Sequence, residues 1–328
     1  MSFRGFGPLH YAAILGAALL IGLTFHEGLA AISLAMASVG WGVALIVLIR
    51  LLQVLTSGVA WRCVLQARAS WWVCPLLRWV REAINALLPV AQVGGEVIGA
   101  RLLTKFGVAG SVATASVLAD LLVQVSTQLV FCVLGLALFF MKFGKTDLLL
   151  WTVGGFLFLA LGVVGFFGVQ RCGGIGWLEN RVVAIASAHG WPVPDGVVGL
   201  AANVEAIHRR PGRLITAAAI HMAIWIFGAC EIWAALHFLD QPGSFREALV
   251  LESLSHAARA ALFIVPGGIG VQEGAIVALG AAYGLSPQIA LTVGLLKRIP
   301  DIILGIAGLA IWQAVELRGR GRRSREVW

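Results

Sequence analysis

Long apolar stretches separated by short polar ones dominate this chain. The apolar windows lie near residues 9–26, 36–56, 112–140, 148–169, 214–239 and 287–315. A helix needs about 20 mostly apolar residues to cross a bilayer. The pattern therefore predicts about six transmembrane helices.

Two stretches depart from this pattern. Residues 57–81 mix Arg62, Arg68, Arg78 and Arg81 with Trp61, Trp71, Trp72 and Trp79, a composition typical of a helix at the membrane interface. Residues 172–213 are rich in glycine, proline and arginine. We expect this second stretch to be a loop with one or two helices on the membrane surface.

A third stretch is apolar but interrupted. In residues 265–279, Pro266 is followed by Gly267, Gly268 and Gly270, and Glu273 comes just after them. Proline and clustered glycines break a helix. Inside a membrane such a break is tolerated only where protein buries it or where it lines a wet cavity. The stretch therefore predicts a re-entrant helical hairpin.

The first half of the chain has a matching stretch at an offset of 177 residues. At this offset Pro89 aligns with Pro266 and Glu96 with Glu273. Each stretch also has a glycine pair, Gly94-Gly95 and Gly267-Gly268, but the two pairs do not align with each other. Further along, Phe106-Gly107 aligns with Tyr283-Gly284, and Asp120 with Lys297. These matches predict an internal repeat with a re-entrant hairpin in each copy.

Three predicted spans separate the two copies, so the second copy should be inverted relative to the first. Inverted repeats with broken helices are a transporter architecture. The expected fold is an all-α polytopic membrane protein with about six transmembrane helices and two re-entrant hairpins. We divide the single membrane domain, residues 1–328, into two spans with an interfacial helix (1–81), a first repeat (82–140), connecting spans with a cytoplasmic loop (141–247), a second repeat (248–316) and a basic tail (317–328).

Composition supports a membrane protein and excludes an ordinary soluble one. The chain is 59% hydrophobic and 12% charged, with a mean hydropathy of +0.91, whereas globular domains carry about 25% charged residues. The net charge of +8 matters through its location. In the six-span arrangement the outer loops hold only Lys142, Lys145 and Arg246, so both termini are expected to be cytoplasmic, in a bacterial inner membrane.

The ends of the chain permit two further expectations. Residues 1–30 are either a retained first span or a segment that ends in a weak cleavage-like sequence, Gly28-Leu29-Ala30. The arginine-rich tail should contact anionic lipid at the cytoplasmic face, and we expect no nucleic-acid partner. A homo-oligomer is one option for the assembly.

Ionisable residues at membrane depth are costly and need a partner or a cavity. Two sets follow helical spacing: Glu252, His256 and Arg259 along one face, and Arg298 with Asp301 as an i,i+3 pair. The candidate substrate-binding residues are Glu96, Asp120, Glu252, His256, Arg259, Gln272, Glu273, Lys297, Arg298 and Asp301, with His221 and Glu231 as weaker candidates. They form either a polar cavity for a headgroup or a structural network of ion pairs.

The sequence lacks the common motifs of enzymes and metal sites. It contains no His-Glu-x-x-His or Gly-x-Ser-x-Gly sequence, and its five cysteines have no ligand spacing. We therefore expect no metal, no cofactor and no catalysis. A buried carboxylate is still capable of acid–base chemistry, so a lipid-modifying enzyme stays as an alternative.

The motifs resemble those of a known family, the transmembrane region of lysylphosphatidylglycerol synthases. The similar segments are Pro266-Gly-Gly-Ile-Gly-Val-Gln-Glu273-Gly-Ala, Gly284-Leu-Ser-Pro287, Leu296-Lys-Arg298-Ile-Pro-Asp301, and, in the first half, Pro89 to Glu96 with Gly107 and Asp120. The resemblance covers residues 80–320. It implies a lipid-translocating fold with two re-entrant hairpins, and functional positions at Glu96, Glu273, Arg298 and Asp301. The resemblance is to the transmembrane region and not to the soluble aminoacyl-transferring domain of full synthases, so we expect no synthase activity from these residues.

The chain departs from the family pattern in its first half. Gly99 stands where the family often has an arginine, and Asp120 is followed by Leu121 instead of an arginine. The first half thus lacks the cations expected to meet a phosphate, which favours a neutral, polyol-bearing lipid such as a hopanoid. Stand-alone relatives associated with hopanoid biosynthesis have a similar length and a similar Gly40-Trp41-Gly42 opening.

The expected function is movement of an amphipathic lipid, a phospholipid or a hopanoid, between leaflets. Arg298 and Arg259 would hold the headgroup, and Glu273 and Glu96 would bind protons or hydroxyl groups. An ion-coupled transporter of small solutes is the alternative from another class. Asp120 and Lys297, matched in the repeat and opposite in charge, are candidates for a direct pair.

Overall fold

The computed structural model describes most of the chain. It covers Ser33 and residues 37–88, 93–144, 148–189, 192–193, 195–241, 243–262, 265 and 268–323, and for 148–159 and 318–323 it describes the backbone alone. Several predictions fall outside these residues: the span at 9–26, the cleavage-like sequence, and the break residues Pro89, Pro266 and Gly267.

The described chain is a bundle of helices. They are α1 (Gly42–Val64), α2 (Val73–Leu87), α3 (Gly94–Thr104), α4 (Gly110–Phe143), α5 (Leu148–Arg171), α6 (Gly174–Ala188), α7 (Leu200–His208), α8 (Pro211–Phe238), α9 (Phe245–Ala261), α10 (Val271–Ala282) and α11 (Pro287–Arg323). Among the described helices, α1, α4 and α8 are long and apolar enough to cross a membrane. The chain is a polytopic all-α membrane protein.

The helix boundaries follow the 177-residue repeat. Helices α3 and α10 begin 177 residues apart, at Gly94 and Val271, and so do α4 and α11, at Gly110 and Pro287. Each short helix is followed closely by a glycine in the left-handed region, Gly107 with φ 82° after α3 and Gly284 with φ 77° after α10. Each copy is therefore a helical hairpin followed by a long helix.

The two copies pack reciprocally. The first arm of hairpin 1, α2, packs against the long helix of the second copy, α11, while the first arm of hairpin 2, α9, packs against α4 of the first copy. Helices α1 and α8 lie together between the copies and contribute to both main hydrophobic clusters. The polar interior of the protein is therefore built from both copies at once.

The segment at 57–81, which we predicted to lie at the membrane interface, has several of its Trp and Arg side chains buried within the protein. Helix α1 continues to Val64 and buries Trp61, whose indole donates a hydrogen bond to Ser116 Oγ at 3.0 Å. Helix α2 then turns Arg78 and Arg81 inward, with exposures of 2% and 0%. An arginine-rich helix can be buried here because carboxylates of other helices neutralise it. Hairpin 1 consequently begins at Val73, not at residue 82.

Two further details differ from the prediction. Gly94 and Gly95 are the first residues of α3, so the break precedes them; Gly268 and Gly270 do lie within the second break, at φ 63° and 79°. Arg50, which is not among the candidate residues named above, lies within α1 and faces the interior.

Candidate functional site

A polar cavity of about 180 Å³ lies between the two hairpins. Its walls come from α1, α2, α3, α4, α8 and α9, and side-chain amides are prominent among them: Gln53, Asn85, Gln124 and Gln128. Two smaller cavities of about 10 and 20 Å³ adjoin the lining residues. Arg50 and Arg259 line all three cavities and therefore lie where the cavities meet.

Asp120 is the centre of an ion cluster on the first side of this cavity. Its carboxylate accepts hydrogen bonds from Arg78 at 3.2 Å, from Arg81 at 3.1 Å and from the His221 ring at 3.0 Å. Arg78 also pairs with Glu82 at 2.6 Å. Asp120 itself is fully buried, so the three partners provide what water would otherwise supply.

Lys297 is the centre of the corresponding cluster on the second side. Its ammonium group donates to Glu231 at 2.9 Å and to Glu252 at 2.7 Å. Glu252 in turn accepts a hydrogen bond from the ring of His256 at 3.0 Å. Gln53 of α1 donates to Glu231. The ammonium group lies between two buried carboxylates, so the cluster is closed.

The two clusters use the same plan with the charges exchanged. In the first copy the long helix supplies an acid, Asp120, and the hairpin arm supplies arginines; in the second the long helix supplies Lys297 and the arm supplies Glu252. Helix α8 completes both clusters, with His221 at one and Glu231 at the other. Asp120 and Lys297 therefore do not pair with each other.

A second kind of ion pair closes each hairpin at its break. Glu96 pairs with Arg81 across hairpin 1. Glu273 pairs with Arg298 and also accepts a hydrogen bond from the backbone N–H of Gly270 at 2.8 Å, while Arg298 donates to the carbonyl of Gly268 at 2.9 Å. The break in hairpin 2 is thus tied to α11.

Glycines make room for arginine stems at both hairpins. A Cβ atom on Gly99 would lie 2.6 Å from Cγ and Cδ of Arg81, and one on Gly268 would lie 2.8 Å from Cγ of Arg259. Gly99 is the position where the related family often has an arginine. In this chain Arg81 fills that space from the preceding arm, where it pairs with Glu96 and Asp120.

Arg259 differs from the other buried cations. Among the residues that the structure describes, it has no ion pair and no hydrogen bond. Asp301 and Glu82 are its nearest attractive charges, and Arg50 and Arg298 are nearby cations. Asp301 is itself engaged by Arg50 at 3.2 Å and by Arg298 at 3.6 Å. Arg259 is therefore positioned to receive a negative charge from outside the protein.

The structure separates the predicted site residues into groups. Glu96, His256 and Arg259 line the main cavity, whereas Gln272, Lys297, Arg298 and Asp301 line the adjoining smaller one. Asp120, Glu252 and Glu273 hold the ion clusters without lining any of the cavities described above. The predicted pairs within α9 and α11 are both present.

Sequence reasoning missed the contribution of α1 and α2. Arg50, Gln53 and Ser57 follow a spacing of three and four residues along α1 and all line the cavity. This spacing was a usable signal, since one polar face on an apolar helix marks a polar interior. Arg78 and Arg81 share a face of α2 in the same way, but their tryptophan neighbours indicated an interface.

Ion pairs outside the cavity join segments that are distant in sequence. Lys105 and Arg101, at the end of α3, pair with Glu316 near the end of α11. The hydrogen bond from Lys105 lowers the pKa of Glu316 below its ordinary value. At another surface, Lys142 pairs with Glu247 at 2.6 Å. These contacts place the ends of α3 and α11 together, and the end of α4 beside the start of α9.

Comparison with known proteins gives one match. A family model described as "Lysylphosphatidylglycerol synthase TM region" matches residues 11–308. No curated protein and no solved structure matches the chain. The matched region includes both hairpins, both long helices as far as residue 308, and the cavity between them.

Proposed function

The chain belongs to the lysylphosphatidylglycerol synthase TM region family, and on that premise we propose that it moves an amphipathic lipid between the two leaflets of a membrane. The headgroup enters the polar cavity between the hairpins, and the acyl chains stay in the surrounding hydrocarbon. The protein acts as a transporter and not as an enzyme, in a bacterial inner membrane with both termini cytoplasmic.

The observation that carries this proposal is the unpaired guanidinium of Arg259 in the central cavity. A buried cation without a partner is costly, so a retained one is best explained by a ligand that neutralises it. An arginine binds phosphate or carboxylate through paired hydrogen bonds. Amide side chains of Asn85, Gln124 and Gln128 line the same cavity and suit hydroxyl groups of a headgroup.

This arrangement favours a lipid with an anionic headgroup over a neutral one. The argument for a neutral, polyol-bearing lipid considered only the first half of the chain, which holds the buried cations Arg78 and Arg81. Their charges are balanced by Asp120, Glu82 and Glu96. Arg259 is the cation that is left to bind a phosphate.

Transport of a small anionic solute is the second candidate, and the size of the cavity is the observation that favours it. A volume of about 180 Å³ accommodates a headgroup or a solute but not a whole lipid. The two candidates differ in what the ligand carries with it, because only a lipid needs the side of the bundle to open toward the bilayer.

Reconstitution of the full chain tests the proposal. Vesicles of phosphatidylethanolamine and phosphatidylglycerol, with fluorescent NBD-labelled phosphatidylglycerol, report lipid movement when dithionite bleaches the outer leaflet. We expect the protein to make the inner-leaflet label accessible. Arg259→Gln should slow this about tenfold or more, because a hydrogen-bonded charge contact contributes about 1.5–3 kcal/mol.

Arg209→Gln is the matched control. Arg209 lies at the end of α7, is exposed, and pairs with Glu205 of the same helix. It should flip lipid at the wild-type rate. Wild-type rates for Arg259→Gln would remove the role of this residue. If wild-type protein never exposes the label, but takes up a soluble anion such as glycerol phosphate, the solute transporter replaces the lipid transporter.

A further inference from the structure

Two histidines from different helices line the central cavity, one beside each ion cluster. His221 of α8 bonds to Asp120 Oδ1 through Nε2, and His256 of α9 bonds to Glu252 Oε1 through Nε2, both at 3.0 Å. Trp225, one turn after His221, places its ring 5.1 Å from the ring of His256. Both imidazoles and Trp225 thus line the same cavity.

The hydrogen bonds define which ring nitrogen can accept a proton. Asp120 and Glu252 are each held by cationic side chains, so they are ionised and accept only. In each neutral histidine the proton must therefore sit on Nε2, facing the carboxylate. The other nitrogen, Nδ1, then carries a lone pair, and in the described residues it has no hydrogen-bond partner.

We infer that His221 and His256 form a proton-binding site that couples lipid movement to a proton gradient. The inference rests on the proposed function and adds the coupling ion to it. Chains of carboxylate and histidine at membrane depth serve as proton relays in transporters, and imidazole changes charge near neutral pH. Here two such pairs face the cavity that holds Arg259.

The proton balance of the cycle is simple. A proton from water on the acidic side bonds to Nδ1 and converts the neutral imidazole to imidazolium. The Nε2–H of this imidazolium still donates its hydrogen bond to the carboxylate. After the cavity opens to the other side of the membrane, the same Nδ1–H returns its proton to water there. No bond other than N–H forms or breaks.

Binding of an anionic headgroup and binding of the proton should reinforce each other. Imidazolium adds positive charge near Arg259, which strengthens attraction for a phosphate, and by linkage the phosphate raises the proton affinity equally. The lipid and the proton should then move in the same direction.

The charges that surround the two rings are on several helices: Arg50 (α1), Arg78, Arg81 and Glu82 (α2), Glu96 (α3), Asp120 (α4), Glu231 (α8), Glu252 and Arg259 (α9), and Lys297, Arg298 and Asp301 (α11).

The first experiment applies a pH gradient to the reconstituted vesicles that contain NBD-labelled phosphatidylglycerol. Labelled lipid should accumulate in the leaflet facing the higher pH, by about tenfold per pH unit if one proton accompanies each lipid. The double variant His221→Gln/His256→Gln should lose this asymmetry. His237→Gln, at an exposed position of the same helix α8, should keep it.

The results separate the coupling from the function itself. Lipid movement that ends with equal leaflets under a gradient would overturn the coupling and leave the proposed function intact. The coupling would also be overturned if the double variant kept the asymmetry. Absence of lipid movement at every pH would overturn the proposed function, and the coupling with it.

A second measurement reads protonation from the wild-type protein itself and uses variants only to assign the signals. Wild-type protein with 15N-labelled histidine, in nanodiscs with phosphatidylglycerol, reports the protonation of each ring by NMR, with the signals assigned through the single glutamine variants. Both rings should gain a proton at higher pH with phosphatidylglycerol than with phosphatidylcholine, because the anionic headgroup raises their proton affinity. Two rings that stay neutral throughout would overturn the inference.

Discussion

At the scale of single residues, Asp120 is the side chain on which the first ion cluster depends. Replacing it by asparagine leaves two buried arginines with less negative charge than they need. We expect Asp120→Asn to lower the free energy of unfolding by about 3 kcal/mol. Thermal unfolding of the purified protein in a fixed detergent measures this.

Glu205→Gln provides the comparison, because the Glu205–Arg209 pair is exposed and such pairs contribute at most about 1 kcal/mol. Equal losses for the two variants would mean that Asp120 is less important to the interior than its burial indicates.

The contact between Lys297 and Glu252 provides a second prediction at this scale. A double-mutant cycle with Lys297→Met and Glu252→Gln should show a coupling energy of about 0.5–3 kcal/mol, since the two groups touch. The same cycle for Lys297→Met with Asp120→Asn should be additive, because these residues belong to different clusters. Thermal unfolding of the four proteins in each cycle decides between these outcomes.

Which residue pairs were predictable depends on where the partners lie. Glu252 with His256 and Arg298 with Asp301 are pairs within one helix, and helical spacing finds them from the sequence. Arg78 with Asp120, and Lys297 with Glu231, join residues 42 and 66 positions apart. Such pairs are decided by how the helices pack, which hydrophobic periodicity does not encode.

At the scale of secondary-structure elements, Glu273 connects the second break to helix α11. Glu273→Gln keeps an oxygen for the backbone N–H of Gly270 but loses the charge that pairs with Arg298. We expect the variant to remain folded and to move NBD-labelled phosphatidylglycerol several-fold more slowly, since the break is no longer fixed. Size-exclusion chromatography and the vesicle assay measure the two effects. Unchanged transport would assign Glu273 a purely structural role.

The crossing of α1 and α2 gives another prediction for an element. A Cβ atom on Gly58 would overlap the backbone of Pro75, so the two helices would have to separate. Gly58→Ala should cost about 1–3 kcal/mol of stability, the usual cost of overpacking. Gly162→Ala on α5 is the control, because its added methyl group meets no atom within 4 Å. It should be neutral or slightly stabilising on thermal unfolding.

Most elements were predictable, and α2 shows why one was not. The apolar windows located α1, α4, α5, α8 and α11 because burial in a membrane demands long hydrophobic runs. Helix α2 carries arginine and tryptophan, which is also the composition of an interfacial helix. Its burial depends on Asp120 and Glu96 of other helices, and those contacts are tertiary.

At the scale of the whole molecule, the surface ion pairs agree with the proposed arrangement in the membrane. Lys105 and Glu316 are in contact, and the arrangement assigns both to the cytoplasmic side. Lys142 and Glu247 are in contact, and it assigns both to the outer side. Helix α2 packs on α11, and α9 packs on α4. The hairpin of each copy therefore lies against the long helix of the other copy, around a shared cavity.

Cysteine labelling in cells tests this arrangement. Cys172 is exposed at the end of α5, whereas Cys74 and Cys132 are buried and Cys63 and Cys230 are half-buried. A membrane-impermeant maleimide should label Cys172 only after the inner membrane is permeabilised, because the arginine-rich loop that follows is predicted to be cytoplasmic. In a Cys172→Ser background, Arg246→Cys should be labelled without permeabilising the inner membrane, since the start of α9 is predicted to face outward. Labelling of both sites from one side would exclude an inverted repeat with cytoplasmic termini, because α8 would then not separate the two positions.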